Sequence, residues 1–294
     1  MDMKTNHVGQ GLCRTIPALL TLIFLSCCAP KEAVKTAPSI AAPVLDDKAT
    51  QAEVFFKKGC YIGFKKAIEI YEQLYAQRAT KNKVLVPFMK ALILMSVRQK
   101  ELGLLDDGYI QRARDVVRDN SSLRGFTPTI DLADAMPPKT RGIMRDIDVK
   151  GTVKVVADVL KNVQFKDDMK LKAQADDYYA YLYVTFFTSF DRYLEQREEL
   201  ASFTKLYPDS ILFKYKNATA ELREDPKLLE ALAGADPEFT EAYYHLGELA
   251  LKAQNLVEAE NCFLRAFEGI PESPQVTIYL ASIYTATEEF EKSL

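Results

Sequence analysis

The chain has 294 residues, of which 48% are hydrophobic and 27% are charged. This composition is typical of globular proteins, and the apolar runs fall short of the ~18 residues that a membrane-spanning helix requires. Thirty-eight basic residues against 41 acidic ones give a net charge of -3. Such a balance supplies no positive field for a phosphate backbone and argues against a nucleic-acid partner.

The N-terminal segment has the pattern of an export signal. Lys4 and Arg14 precede an apolar run of ten residues, Ile16 to Leu25, and "SCCAP" follows it. A basic lead, a short apolar core and a small-residue exit are typical of a cleaved signal peptide, and this core is too short to be a membrane anchor. We therefore expect residues 1–27 to be removed on export.

The residues "LSCC" resemble the lipobox of bacterial lipoproteins, in which a leucine and two small residues precede the lipidated cysteine. With Cys28 in that place, Leu25 and Ser26 match, and Cys27 stands where Ala, Gly or Ser is usual. With Cys27 in that place, Ser26 matches but Phe24 replaces the leucine, so we favour Cys28 and keep Cys27 as the alternative. The resemblance implies a diacylated, palmitate-type N-terminus, which anchors a protein firmly. Because neither cysteine is followed by Asp, it also implies the outer membrane, facing the periplasm.

A tether and a first group of helices follow the signal. Residues 28–48 contain three prolines among Ala, Lys and Thr without periodicity, which predicts a flexible tether. Apolar residues then recur at helical spacing, and we expect residues 49–125 to form helical hairpins. Gly59 and Gly63 indicate a break between the first two helices, and Gly103 indicates the end of the third.

The middle of the chain combines an expected loop with further helices. Residues 126–142 include the consecutive prolines Pro137 and Pro138 and are expected to form a long irregular connection. Residues 143–236 are expected to form central helical hairpins. Within them, "LYVTFFT" favours a strand by its β-branched and aromatic content, but the spacing of the aromatic residues around it predicts a helix.

The stretch from Thr240 to Pro271 resembles the tetratricopeptide repeat, a unit of 34 residues built from two antiparallel helices. The matched positions are Tyr243, Leu246, Gly247, Ala259, Phe263, Ala266 and Pro271. Only Ala250, where the pattern has a tyrosine, departs from it. Because the small residues Gly247 and Ala259 allow two backbones to approach, we expect the two helices to lie back-to-back.

Neighbouring segments extend this pattern imperfectly. A second unit starts at Pro274 and stops partway through its second helix at Leu294, which predicts a truncated last repeat within residues 237–294, with a natural half-repeat cap as the alternative. Upstream segments form shortened or irregular helix pairs. The sequence therefore predicts an all-α fold, a solenoid of tetratricopeptide-like helical hairpins with degenerate N-terminal repeats.

The residues that usually carry catalysis are scarce. After removal of the signal, His245 is the single histidine, and we expect it on a helix surface. There is no phosphate loop or nucleophile elbow, and adjacent carboxylates such as Asp176 and Asp177 are interpreted as solvated or capping groups. Cys60 and Cys262 are expected to be buried free thiols, with a disulfide as the alternative. We therefore expect no enzymatic activity, no cofactor and no metal.

These features favour a non-enzymatic, lipid-anchored scaffold that binds a protein or peptide partner at the bacterial cell envelope. In the family that the repeat resembles, the first helix of each unit lines a concave groove. The corresponding positions here are Glu241, Tyr244, Glu248, Leu251, Lys252, Gln275, Ile278 and Ser282. The alternative is a periplasmic small-molecule-binding component of an uptake system, resembling the tetratricopeptide component of TRAP transporters. The aromatic run from Asp176 to Phe187 distinguishes the two hypotheses. A packed core there favours the scaffold, and a closed aromatic cavity favours the small-molecule-binding protein.

Overall fold

The computed structural model describes residues 44–104, 108–136, 163–188, 193–219 and 225–287, all of which belong to the unit Ala42–Leu294. These ranges contain thirteen α-helices, one 3-10 helix at Ser121–Phe126 and no strand, which confirms the predicted all-α class. The α-helices are α1 (Val44–Lys57), α2 (Tyr61–Tyr75), α3 (Lys81–Glu101), α4 (Tyr109–Asp119), α5 (Thr127–Ala135), α6 (Val163–Ala173), α7 (Asp177–Thr188), α8 (Tyr193–Leu206), α9 (Ile211–Ala218), α10 (Pro226–Ala235), α11 (Thr240–Lys252), α12 (Leu256–Gly269) and α13 (Pro274–Ala286). None of these helices is both long enough and apolar enough to span a bilayer.

Helix ends follow from local residue chemistry. Asp225, Asn255 and Ser273 accept hydrogen bonds from the backbone N–H three residues later, at 3.2, 3.3 and 3.4 Å. A side-chain oxygen at this position satisfies one of the backbone donors that a helix start leaves without a partner. Gly59 and Gly103 follow α1 and α3 with φ of 65° and 66°, a left-handed conformation that glycine adopts at little cost.

Successive helices pack against each other along the chain, as expected for hairpins. Close pairs join α1 to α2, α2 to α3, α6 to α7, α10 to α11, and above all α11 to α12. At the last of these, a Cβ on Gly247 would lie 2.8 Å from the Phe263 ring, and Ala259 is fully buried. The structure therefore confirms that two helices lie back-to-back here and that their approach requires small residues.

The expectation of a long irregular connection over residues 126–142 is wrong for the first part of that range, because Thr127–Ala135 is a helix. Pro128 lies in its first turn, where no backbone N–H is needed and the fixed φ suits a helix. Ile130 and Leu132 of this helix are 1% exposed. Apolar burial thus drives helix formation in a segment that its prolines had marked as a loop.

Two other boundaries differ from the expectation. The helix α1 begins at Val44, inside the segment expected to be a tether. Gly63 lies within α2 and does not break it; a Cβ there would lie 2.6 Å from the Phe55 carbonyl oxygen. This glycine therefore permits the close packing of α1 on α2. The expectations for residues 1–43, 137–162 and 288–294 lie outside the described residues.

Candidate binding cleft and buried charge network

A cleft of about 960 Å³ lies between α1, the first half of α3, the start of α7 and the turn joining α8 to α9. The lining residues that determine its chemistry are Glu53, Phe56, Lys57, Gly59, Lys83, Val86, Pro87, Lys90, Asp176, Asp177, Leu206, Asp209 and Ile211. Val86 and Leu206 are 46% and 50% exposed, so apolar side chains face solvent on two different elements of the lining. Three lysines and four carboxylates accompany them, and the cleft is therefore amphipathic with little net charge.

Part of the cleft wall is held by polar contacts. The Lys90 ammonium pairs with the Asp176 carboxylate and lies 4.9 Å from the centroid of the Tyr178 ring. Asp177 accepts a hydrogen bond of 2.6 Å from the Ser210 hydroxyl. These contacts fix the start of α7 against α3 and α9, so this wall is formed before any ligand arrives.

Asp176 also acts as the predicted capping group. Its carboxylate accepts a hydrogen bond of 3.0 Å from the backbone N–H of Tyr178 at the start of α7. A carboxylate at a helix N-terminus is stabilised by the exposed N–H groups and by the helix dipole. The adjacent carboxylates therefore have structural roles at a helix start.

The aromatic run is packed core. Tyr178, Tyr181, Tyr183 and Phe186 are at most 3% exposed and belong to the main hydrophobic cluster. Tyr181 donates a hydrogen bond of 2.5 Å to the Glu101 carboxylate. Among the described residues of this run, the cleft lining includes only Asp176 and Asp177. The described side chains of the run therefore contribute to the packing of the helices.

A buried arginine is the centre of a charge network that the sequence analysis did not identify. The Arg98 side chain is 1% exposed and donates hydrogen bonds to the Glu241 carboxylate at 2.8 Å and the Gly59 carbonyl at 3.2 Å. Its guanidinium carbon also lies 3.8 Å from the centroid of the Tyr215 ring, a stacking geometry that arginine favours. One side chain thus joins α3, the α1–α2 turn, α9 and α11.

Glu101 completes the network. Its carboxylate pairs with the Lys216 ammonium at 2.8 Å and with Nε of Arg98 at 3.3 Å. Burial raises the pKa of the Glu101 carboxyl, but the charges of Lys216 and Arg98 outweigh that effect and lower the pKa to about 2. For Glu241 the effect of burial prevails over the attraction of Arg98, and its pKa is raised. Two cations and two carboxylates leave the network neutral, which limits the cost of burying charge.

The predicted groove positions do not form one open surface. Glu241 is fully buried, Tyr244 and Glu248 are 6% and 4% exposed, and Leu251 and Gln275 are half-buried. Lys252, Ile278 and Ser282 are exposed. The prediction that Glu241 contacts a ligand is wrong. Its carboxylate pairs with Arg98 of α3 and accepts a hydrogen bond of 2.5 Å from the Tyr61 N–H of α2. Helices of the same chain cover this face of α11.

His245 is also placed differently from the expectation. It is 4% exposed, and its ring nitrogens lie 3.1 Å from the Tyr215 hydroxyl and 3.3 Å from the Glu248 carboxylate. The predicted helix-surface position is wrong, because α9 packs over this side of α11. The prediction for the cysteines is confirmed, since Cys60 and Cys262 are buried free thiols.

One sequence signal could have indicated the network. Arg98 and Gln99 follow an apolar run in α3, and both are 1% exposed. A charged residue continuing the apolar face of a helix requires a buried partner. That partner, Glu241, lies 143 positions away, and no local pattern connects the two.

The cleft and network contain no arrangement typical of a metal centre. Among the described residues between 44 and 287, no group of three or more His, Cys, Asp or Glu side chains could hold a metal ion. The proposed lipidation sites, Cys28 and Cys27, lie outside the described residues. No protein-family model matches this chain, and no curated protein matches it either.

Proposed function

We propose that this chain is a non-enzymatic, lipid-anchored helical scaffold that binds a protein partner at the bacterial cell envelope. The cleft between α1, α3 and the α8–α9 turn supports this proposal, and it replaces the groove inferred from the repeat. Its occupant is an amphipathic segment of the partner. The N-terminal lipid, attached at Cys28 or at the alternative Cys27, anchors the scaffold in the outer membrane, facing the periplasm.

The mixed lining of the cleft favours a peptide segment as the occupant. Exposed Val86 and Leu206 offer apolar contacts, while Lys57 and Asp209 line the same cleft with opposite charges. Apolar anchors surrounded by polar groups are the usual anatomy of a protein interface. A partner segment with alternating apolar and charged side chains can satisfy both kinds of group.

The small-molecule alternative has less support. It relied on the aromatic run from Asp176 to Phe187 as a cavity lining, and the buried rings of Tyr178, Tyr181 and Tyr183 pack instead within the core. The cleft volume alone does not separate the two proposals, since about 960 Å³ lies near the upper end of small-ligand pockets.

Site-specific photo-crosslinking in cells tests the proposal. A benzophenone amino acid at Val86 should give a discrete protein adduct, and the same probe at Val257 should not. Val257 is a matched control, because it is 72% exposed on α12 and does not line the cleft. Leu206→Asp in the chain that carries the Val86 probe should remove the adduct, since a charge then replaces an apolar contact.

The contrary result is also clear. If the folded chain gives no adduct from Val86, or gives the same adducts from Val86 and Val257, the cleft is not a partner site. Persistence of the Val86 adduct in the Leu206→Asp chain would likewise count against it.

A further inference from the structure

We infer that Arg98 is a positioning residue for the cleft, through which the C-terminal hairpin α11–α12 holds the cleft wall at Gly59. The inference depends on the proposed function only for the statement that the cleft receives the partner. Its structural part concerns the shape of the cleft and can be measured without any partner.

The first observation is the geometry of the guanidinium. Arg98 donates from one terminal nitrogen to Glu241 of α11 at 2.8 Å and from the other to the Gly59 carbonyl at 3.2 Å. A guanidinium presents its donors in a rigid fork, so fixing one nitrogen orients the other. The position of Glu241 is thereby transmitted to the backbone at Gly59.

The second observation is that Gly59 forms part of the cleft wall. It lines the cleft together with Ile211 and Leu212 of α9, and a Cβ on Gly59 would lie 3.1 Å from Cγ2 of Ile211. Its φ of 65° gives the chain the sharp turn between α1 and α2. A displacement of this turn therefore changes the separation between α1 and the α8–α9 side of the cleft.

The third observation is that the same turn is attached to the C-terminal helices at two further points. The Tyr61 N–H donates to Glu241 at 2.5 Å, and the Lys58 ammonium pairs with Asp236 at 3.0 Å and with Glu238 at 2.7 Å. The two contacts to Glu241, from Arg98 and from the Tyr61 N–H, are buried, whereas the Lys58 ion pairs are partly exposed and stabilise little. Of the buried contacts, only that of Arg98 also reaches the Gly59 carbonyl in the cleft wall.

The test measures the separation between α1 and the α8–α9 side of the cleft with spin labels at Lys57 and Leu206, which line the cleft from α1 and from the end of α8. The full chain is used with Cys13, Cys27 and Cys28 replaced by serine. Cys60 and Cys262 stay unlabelled, because burial raises the pKa of their thiols to about 12 and about 11 and thiolate is the reactive form. In the parent chain, electron–electron double resonance should give one narrow distribution of distances between the two labels.

The decisive variant is Arg98→Met with Glu241→Met. Replacing both partners of a buried ion pair by apolar side chains often preserves stability, and the Glu101–Lys216 pair remains balanced. We expect a cooperative thermal transition close to that of the parent chain, together with loss of the narrow distribution. The control is Arg112→Met with Glu72→Met, which removes the 2.5 Å pair between α4 and α2 outside the cleft and should leave the distribution unchanged.

Two results would overturn the inference. One is a folded Arg98→Met/Glu241→Met chain with the parent distribution. The other is the parent distribution in Arg98→Lys, which keeps the charge and the Tyr61–Glu241 hydrogen bond but loses the fork between Glu241 and Gly59, and which can be measured whether or not the double variant folds. An unchanged distribution in Arg98→Lys then excludes the positioning role, and a broadened one supports it.

The crosslinking experiment tests the proposed function and the distance experiment tests the positioning role, so the two proposals can be contradicted independently. A broadened distribution without a Val86 adduct in the parent chain supports the positioning role and contradicts the proposed function. A Val86 adduct that persists in Arg98→Met/Glu241→Met with an unchanged distribution supports the function and contradicts the positioning role.

Discussion

At the scale of single residues, the buried charges of α3 govern how the helices are joined. Arg98 and Glu101 lie at its C-terminal end, where their partners are Glu241 and Lys216. Removing one member of such a set leaves an uncompensated buried charge, which is far more costly than the pair itself. The charge balance of the set therefore matters more than any single contact in it.

Glu101 should make stability depend on acid pH. Because its pKa falls from 4.5 to about 2 on folding, its carboxylate stabilises the fold above pH 4.5, and this contribution is lost as the pH falls towards 2. The raised pKa of Glu241 acts in the opposite direction, so a variant is needed to isolate Glu101. Glu101→Gln should lower the free energy of unfolding by about 3 kcal/mol at pH 7.

Urea unfolding at pH 7, 4.5 and 3 checks this prediction. The difference between the parent chain and Glu101→Gln should shrink as the pH falls below 4.5. Glu230→Gln, at an exposed position of α10, should have little effect at any of these pH values. A Glu101→Gln difference that stays constant with pH would show that the carboxylate charge is not the stabilising feature.

At the scale of helices, packing decides cases in which residue preferences are ambiguous. The helix α7 forms from "DYYAYLYVTFFT" despite its β-branched and aromatic content, since helical spacing places its large side chains in the core. The helix α5 forms despite its proline, because that residue lies in the first turn. Helical spacing was thus a more reliable signal than proline, since α3 also continues through Pro87 in its interior.

The crossing of α11 and α12 should be sensitive to one methyl group. In Gly247→Ala the new Cβ would lie 2.8 Å from Phe263, whose ring is fully buried and stacks on Tyr279 with centroids 4.8 Å apart. Overpacking should destabilise the fold by about 1–3 kcal/mol, which exceeds the stabilisation of about 1 kcal/mol from the higher helix propensity of alanine. The net expectation is a lower urea midpoint.

Gly234→Ala provides the matched control for this prediction. Gly234 lies in α10 with no atom within 4 Å of an added Cβ, so the substitution should be neutral or stabilise by up to about 1 kcal/mol. If Gly247→Ala also proves neutral or stabilising, Phe263 can move, and the crossing does not require a glycine.

At the scale of the whole molecule, the described N-terminal and C-terminal helices are joined by complementary charges. Lys58 of the α1–α2 turn and Lys66 of α2 pair with Glu238, and the Tyr61 hydroxyl donates a hydrogen bond of 2.5 Å to Glu272. These partners are 172 to 211 positions apart in the chain. They hold α2 over the face of α11 that the repeat pattern had assigned to a ligand.

Lipidation is the prediction that concerns the location of the whole chain. Cys28→Ser should abolish incorporation of a labelled fatty acid and leave the protein in the soluble periplasmic fraction. The reason is that the remaining cysteine, Cys27, has Phe24 where the lipobox has a leucine. Cys27→Ser should retain incorporation, since serine is an accepted lipobox residue. Mass spectrometry of the N-terminal peptide provides the measurement, and the opposite pattern would assign the lipid to Cys27.

The candidate site was only partly predictable. Sequence reasoning identified Gly247, Ala259 and the free thiols from the local apolar pattern, but none of these residues lines the cleft. It misplaced Glu241 and His245, since positions that are exposed in an isolated repeat are covered here by α2, α3 and α9. The cleft itself combines residues from α1, α3, α7 and the α8–α9 turn, and no motif links segments so far apart.

The sequence by itself determined the all-α class, the helix ends at Gly59 and Gly103 and the close pairing of α11 with α12. These features depend on interactions within a few residues or within one hairpin, such as apolar spacing, side-chain caps and small residues at a crossing. Only the tertiary structure decided which helix faces remain accessible, because Arg98 meets Glu241 across 143 positions of chain. A buried charge must have its partner wherever the fold supplies one, and that requirement closed the predicted groove at α11.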